Sequence, residues 1–310
     1  MKKFLSKYVL NLANLFFILI FLCFLFPSKY ATGMRIGLKS PLVFAVVLVL
    51  IEIRFILSLR KSSKSRASKD IMTFVFAFLL VWEVVVSRLN LLPYIFIPAP
   101  ENVFEVFVSD TATIVQGFFS SMFLILVGMT SALIVAIISG TFVGWSERLT
   151  KFIYPLAKAI STVPALIYTP YVVLILPTFR LASLTVIFLS VFWGAFMASI
   201  NNTAFVEKRI INAAKVLVLS TPTILFKIII PFNFPRVINA LPIYLSTALM
   251  TLTVAEMLGS DNGMGFYVRL SLSFSNYTKA IAGIIFIGLV VTVLNGIIDL
   301  MKKRFIKWNY

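Results

Sequence analysis

The sequence predicts an all-α protein, a polytopic transmembrane helical bundle of about eight spans, and three observations carry that expectation. Of its 310 residues, 60% are hydrophobic and only 13% are charged, with a mean hydropathy of +1.03. One soluble core cannot enclose that much apolar surface. Apolar runs repeatedly reach the roughly 20 residues that a bilayer requires, whereas a buried soluble helix needs only about 10 to 14. The weak, alternating pattern of a membrane barrel is not seen, so helices are left to satisfy the backbone hydrogen bonds within each span.

Eight runs meet the length test: Tyr8 to Phe26, Leu42 to Leu59, Ile71 to Arg88, Ser121 to Trp145, Ala157 to Leu176, Leu181 to Ile200, Val237 to Leu258 and Lys279 to Leu300. The first follows Lys2, Lys3 and Lys7 as a signal peptide would. Its 19 residues exceed the roughly 7 to 15 of a signal's apolar region, so a retained anchor is expected. Cleavage near Ala31 would leave seven spans. Glu52 and Arg54 interrupt the second run near its end, where snorkelling would carry their charges to the interface. The stretch Arg60 to Asp70, RKSSKSRASKD, is basic and aperiodic. It reads as a linker at 61–70 between an N-terminal helix pair, 1–60, and a core, 71–310.

The formal net charge of +17 would suggest nucleic acid in a soluble protein, but its distribution follows topology. With the N-terminus inside, 20 Lys and Arg fall on the cytoplasmic side and 7 on the other, Arg54 lying within a span. Such a skew places both termini in the cytoplasm of a plasma (inner) membrane protein and makes the lipid bilayer, not nucleic acid, the partner. Histidine is absent and Cys23 is the single cysteine. No disulfide within the chain, Cys-based metal site or cofactor is therefore expected, and most hydrolase mechanisms lose their usual base. No GxxxxGK[ST] motif is present, so the chain is not expected to be an enzyme that hydrolyses ATP.

Between the sixth and seventh runs, Asn201 to Arg236 is longer than a simple connection. Val206, Ile210, Ala213 or Ala214, and Leu217 recur at helical spacing, Glu207, Lys208 and Lys215 fall on another face, and Pro222 stops the pattern. This predicts a short amphipathic helix. A helix of about 15 residues is marginal alone, so its apolar face implies the membrane interface or a partner protein.

Within that stretch, NAAKVLVLSTPTILFKIIIP, Asn212 to Pro231, resembles the EAA loop of binding-protein-dependent ABC importer permeases. Ala213, Ala214, Ile228 and Pro231 match in register, and Ile230 stands for Leu. Asn212 replaces the usual Glu and Val218 the usual Gly. Three further segments are similar to the nitrate, sulfonate, taurine and thiamine-precursor branch of that family. They are Trp82-Glu83 with LLPYIFIPAPENVFEVF from Leu91 to Phe107, STVPALIYTP from Ser161 to Pro170, and VAEMLGSDNGMGF from Val254 to Phe266. The likeness runs collinearly from about Ile71 to the C-terminus, leaving residues 1 to about 70 outside it. The bland reading of that extra helix pair is packing on the core periphery.

The resemblance implies a permease subunit that forms a translocation pathway for a small solute, an anion such as nitrate or sulfonate or a vitamin precursor. It implies as partners cytoplasmic ABC ATPase subunits, a second permease copy or homologue, and an extracytoplasmic solute-binding protein. It assigns ATPase coupling to Asn212, Ala213, Ala214, Lys215, Leu217, Val218 and Ser220 within a loop at 206–231. Val at the glycine position should be strained in a left-handed turn, so the turn is expected to differ. An ion-coupled secondary transporter and a degenerate, non-transporting permease-like subunit are the alternatives.

Pathway or gate roles fall on Pro164, Pro170, Glu256, Gly259, Gly263 and Gly265. Two prolines in one run remove backbone donors and distort a helix, and the three glycines, which follow the seventh run, suit tight turns at an outer gate. Glu83 and Glu256 are carboxylates beside predicted interfaces, where gating, a structural hydrogen bond and plain interfacial solvation all fit. No second carboxylate shares their depth in the sequence, which argues against proton relay.

Overall fold

A computed structural model of the protein describes residues 11–25, 40–61, 65–93 and 95–305. Lys2, Lys3, Lys7, Lys29, Ala31, Arg35, Lys39, Lys64, Tyr94 and Lys307 lie outside the described residues. Every regular element among the described residues is helical. Six helices are long and apolar enough to cross a membrane, a bent pair would add a seventh crossing, and a shorter apolar helix precedes them all. Large apolar side chains point outward along them, with Phe74 74%, Leu174 81% and Ile175 78% exposed. Water would not tolerate that surface, and acyl chains would.

The chain divides into two compact units. The first, residues 1–114 with 270–284, opens with α1 (Leu12–Cys23), whose N-cap Asn11 side chain accepts the Asn14 N–H at 2.9 Å. It continues with α2 (Ser40–Lys61), α3 (Ser65–Trp82) and α4 (Pro100–Ser109). Of the basic stretch 61–70, residues 65–70 form the first turns of α3. Its start is therefore helical although its composition reads as linker. α1 packs on α3, and α2 on α3 and α4. Ala13, Ile20, Phe44, Leu48, Phe55, Leu59, Phe76 and Leu79 form the core between them. Phenylalanines lock it: Phe17 meets Phe76 edge-on at 5.5 Å, and Phe44 stacks on Phe104 at 5.3 Å.

Glu52 does not snorkel. It is 8% exposed and one carboxyl oxygen lacks a hydrogen bond among the described residues, while Arg54 two residues on is exposed. The two side chains leave the helix about 200° apart, so the pair cannot share one interface.

The second unit, residues 115–269 with 285–310, holds most of α5 (Thr111–Trp145). α6 (Glu147–Ser161), α7 (Ala165–Ile175), α8 (Phe179–Ala204), α9 (Lys208–Val216) and α10 (Thr221–Ile224) follow. α10 continues through a π-helical turn, Leu225–Ile229, into α11 (Ile230–Gly259); α12 (Met264–Ser273) and α13 (Tyr277–Phe305) complete the chain. Side chains of α8 and α11 form its centre, where Val191, Ala195, Leu245, Ala248 and Leu249 are buried. Gly140 and Gly144, one turn apart on α5, let that helix approach α8 closely. A Cβ at Gly140 would lie 2.6 Å from Ser199 Cβ, and one at Gly144 2.8 Å from the Ile200 carbonyl oxygen.

The fifth apolar run, expected as one span from Ala157 to Leu176, is two helices bent by 87°. α6 starts ten residues before the run, at Glu147, with Ser146 as N-cap. The break falls at Thr162 to Pro164. Proline disfavours the helical region for the residue before it, and here it sits as the N-cap of α7 with an extended ψ of 133°.

Candidate functional site

Apart from Pro164 and Pro170, the predicted site residues gather at the two ends of the α10–α11 helical run, Thr221–Gly259. At about 1.5 Å per residue those 39 residues separate the ends by up to roughly 58 Å. The structure therefore makes two sites of them.

At the first end, α9 is a nine-residue helix, too short to hold itself together in water. It is held by packing. Val206, Ala214, Ile224, Leu225 and Ile229 form a small buried core, with Trp145, Ile211, Ile228 and Phe232 against it. The two alanines of the motif thus separate in role: Ala214 is 3% exposed and faces this core, while Ala213 faces out beside Asn212 and Lys215.

Of the coupling residues that the resemblance assigns between Asn212 and Ser220, only those up to Val216 are helical, because α9 ends there. Pro222 does not end it. That proline instead occupies the first turn of α10, where its missing N–H costs nothing. Between the helices the turn closes as a Schellman motif. The Leu219 N–H donates to the Ala214 carbonyl at 3.1 Å and the Val218 N–H to the Lys215 carbonyl at 2.9 Å.

Such a motif needs a left-handed residue at the position of Val218, whose φ is +56°. The expected departure of the turn does not occur: the β-branched side chain takes the glycine conformation, with the strain that implies. Val216, Leu217 and Val218 are 82%, 71% and 88% exposed, and Leu219 37%. Four consecutive apolar side chains therefore stand out from a packed base, beside Ser220, whose hydroxyl pairs with Thr223 at 2.8 Å.

At the other end, Glu256 is 1% exposed, so interfacial solvation does not describe it. The Ser121 hydroxyl donates to its Oε1 at 2.6 Å and the Gly265 N–H to its Oε2 at 2.7 Å. Ser121 Oγ in turn accepts the Met264 N–H at 2.9 Å. One carboxyl group thus ties the last turn of α11 to α5 and caps the first turn of α12.

Gly263 makes this possible: its φ is +124°, and a Cβ there would collide with the Glu256 carboxyl. Gly265 is closed in the same way by the Thr253 carbonyl oxygen. Gly259 is looser, with Phe179 ring carbons 3.3 and 3.4 Å from where its Cβ would be. Ser121 and the glycine pair on α5 escaped the sequence reading. The Gly140-x-x-x-Gly144 spacing was the available signal for the pair; Ser121 had none, since 135 residues separate it from Glu256.

Pro164 and Pro170 are exposed on the bent pair. Pro170 lies inside α7, where it removes the hydrogen bond to the Leu166 carbonyl. Exposed apolar residues, including Ile160, Val163, Ile167 and Tyr171, run past the bend.

In the first unit Glu83 also proves buried, at 0%. It begins a π-helical turn, Glu83–Arg88, and a second carboxylate does share its depth: Glu101, from the first turn of α4. Arg88 lies 2.6 Å from Glu83 Oε1 and 3.5 Å from Glu101 Oε1, and the Ser87 hydroxyl is 2.8 Å from Glu101 Oε2. The π turn places Ser87 and Arg88 on the side of Glu83, which a regular helix offers only at i+3 and i+4.

Comparison with known proteins accords with this arrangement. Residues 132–307 match the family described as "Binding-protein-dependent transport system inner membrane component". The taurine transport system permease protein TauC of Escherichia coli (strain K12) is 26% identical over 74% of this chain and 86% of its own length. The putative aliphatic sulfonates transport permease protein SsuC of Bacillus subtilis (strain 168) is 26% identical over 55% of this chain and 62% of its own length, so the match leaves over a third of that relative uncovered. The nitrate import permease protein NrtB of Leptolyngbya laminosa is 26% identical over 61% of this chain and 69% of its own length. The family match spans more than half of the 310 residues and takes in α9, the turn at Val218 and the Glu256 clasp apart from Ser121, so the chain belongs to the inner membrane components of binding-protein-dependent transport systems.

Proposed function

We propose that this chain forms half of the translocation pathway of an ATP-driven importer, paired with a second copy or a homologue. In this reading separate cytoplasmic ATPase subunits dock on α9, an extracytoplasmic binding protein delivers solute to the end that carries the Glu256 clasp, and both termini are cytoplasmic. The solute is a small anion of the nitrate or sulfonate kind, in line with the relatives' names, or a vitamin precursor, which the sequence resemblance alone suggests.

The observation that carries the proposal is the exposed run Val216 to Leu219 on a packed base. A soluble loop gains nothing by presenting four apolar side chains in a fixed turn, whereas a docking surface needs an apolar centre held rigid before contact. Lys208 and Lys215, with Arg209 paired to Glu207 at 3.0 Å, rim it with net positive charge, suited to an acidic groove margin.

The test is co-purification of the tagged chain from its native membrane. Leu217→Asp, on a side chain 71% exposed, should leave the fold intact and lose the ATPase subunits that the unaltered chain recovers. Ala213→Asp should act likewise, while Ala214 is unsuitable because it is buried. Recovery of no ATPase by the unaltered, folded chain would refute the proposal.

A further inference from the structure

Neither the docking turn nor the clasp uses α6, yet its side chains sort into three stripes. Ala157, 1% exposed, and the half-buried Ile153 and Tyr154 pack into the core around α8. Leu149, Phe152, Leu156 and Ile160 form a second stripe and are 43% to 67% exposed. Glu147, Arg148, Lys151 and Lys158 form the third and are exposed as well. At 3.6 residues per turn the two exposed stripes lie roughly 150° apart around the helix.

Two contacts fix its depth. The Asn201 amide donates to the Tyr154 hydroxyl at 3.3 Å, and the Ser161 hydroxyl donates to the Met197 sulfur at 3.3 Å. From Tyr154 to Ser161 α6 advances roughly 10 Å, while from Asn201 to Met197 the contact climbs only about 6 Å along α8. α6 therefore runs obliquely within about two turns of the end of α8 at Ala204. The 87° bend then turns α7 away from it. α6 thus stays at the depth where α5 and α8 end, beside α9.

At that depth one surface covers both exposed stripes at once. Acyl chains accept the apolar stripe and phosphates the basic one, which is how an amphipathic helix lies in a bilayer surface. The charges select the lipid. Lys151 pairs with Glu147 at 2.7 Å, whereas Arg148 and Lys158 make no ion pair with a described residue. Two positive charges are left uncompensated, which complements an anionic headgroup. A second copy docked on this helix across a two-fold axis would instead set those charges against themselves. We infer that α6 is a lipid-binding helix, with Leu149, Phe152, Leu156 and Ile160 among the acyl chains and Arg148 and Lys158 holding the phosphates of anionic phospholipids. Naming that leaflet cytoplasmic rests on the importer reading; the binding does not.

The test uses the purified full chain, with a bimane fluorophore on Leu156→Cys in a Cys23→Ser background. It is placed in nanodiscs of equal phosphatidylcholine and phosphatidylglycerol, one of which carries a doxyl quencher near the top of its acyl chain. Both lipids should quench, and phosphatidylglycerol should do so with at least about fivefold preference, since each basic residue near a membrane surface contributes about that factor. Arg148→Gln with Lys158→Gln should abolish the preference and leave quenching by phosphatidylcholine. A label on Leu289→Cys, exposed on α13 between its basic ends, should be quenched equally by the two lipids. If Leu156→Cys fails to fold, Phe152→Cys, 67% exposed, serves as reporter. No quenching by either lipid, equal quenching by both, the same preference at Leu289→Cys, or a preference that survives the paired Gln variant would overturn the inference. So would mutual broadening of nitroxides placed on Leu156→Cys, which would give the stripe to a second copy. No ATPase is present in the assay, so a chain that shows the preference but recovers no ATPase from membranes would refute the importer reading alone.

Discussion

Replacing Gly263 by alanine tests whether the clasp is held together by one glycine and one carboxyl group. The new Cβ would occupy the position of the Glu256 carboxyl, which must swing away from the Ser121 hydroxyl and the Gly265 N–H that now bind it at 2.6 and 2.7 Å. Each donor left unsatisfied in a buried site costs about 1–3 kcal/mol, and an L-residue at positive φ about 1–2 kcal/mol more. The sum is roughly 3–8 kcal/mol, large for a single methyl group. In a Glu256→Ala background both hydrogen bonds are already gone and the collision vanishes, so the same Gly263→Ala change should cost only the backbone part, about 1–2 kcal/mol. Unfolding free energies in mixed detergent micelles, measured for the four members of this cycle, report the difference directly. Equal costs in the two backgrounds, within about 0.5 kcal/mol, would show that the carboxyl is not what the glycine accommodates, and the clasp would have to be explained otherwise.

Three further tests follow from other parts of the structure. Val218→Gly should relieve the left-handed strain at φ +56° and, after the extra chain entropy of glycine, stabilise by up to about 1 kcal/mol in the same micelle assay; a loss of stability would mean that the valine packs in a way its 88% exposure denies. Arg88→Gln leaves Glu83 and Glu101 facing each other in a buried site and should cost about 3–5 kcal/mol, partly restored by Glu101→Gln; a cost under about 1 kcal/mol would show that the guanidinium does not compensate the carboxylates. Gly140→Leu should force α5 from α8 and cost about 1–3 kcal/mol or more, whereas Gly288→Ala, with nothing within 4 Å of its Cβ, should be neutral or mildly stabilising; a neutral Gly140→Leu would contradict the close approach.

The helical fold was legible because burial in a bilayer writes itself into sequence as length. Seven of the eight runs correspond to single helices, the first over Leu12–Cys23 among the described residues. The run that misled, Ala157 to Leu176, did so because hydropathy records how apolar a window is and not its direction. The 87° bend at Pro164 leaves the average unchanged. For the same reason the start of α6 escaped: Glu147, Arg148 and Lys151 lie outside every apolar run, although they are exposed on a helix capped by Ser146.

Acidic residues near span ends were left open between burial and solvation. Glu52, Glu83 and Glu256 all proved buried, and for Glu83 and Glu256 that depth depends on partners distant in the chain. Ser121 for Glu256 and Glu101 for Glu83 are contacts that no local pattern announces. The EAA-like segment was legible in register but not in conformation. Its spacing located the turn, yet only the backbone angle at Val218 shows that a valine does the work of the missing glycine.

The two ends of the α10–α11 run are held by opposite kinds of force, and that difference bears on the proposed mechanism. At the α9 end the contacts are apolar, among Val206, Ala214, Ile224, Leu225 and Ile229. Apolar packing is non-directional and tolerates small sliding. At the clasp end Glu256 is fixed by directional hydrogen bonds between 2.6 and 2.7 Å, in a space that glycine alone leaves open. Those bonds admit one geometry and lose most of their strength outside it. Between them lie the π-helical turn at Leu225–Ile229 and two prolines, Pro235 and Pro242, which are the usual sites of helix bending. In an ATP-driven importer a push delivered to α9 would then be taken up first at Leu225 to Pro242. The clasp would act as the fixed point, and motion would reach the turn at Asn262 only when the clasp itself turned with α5 and α12.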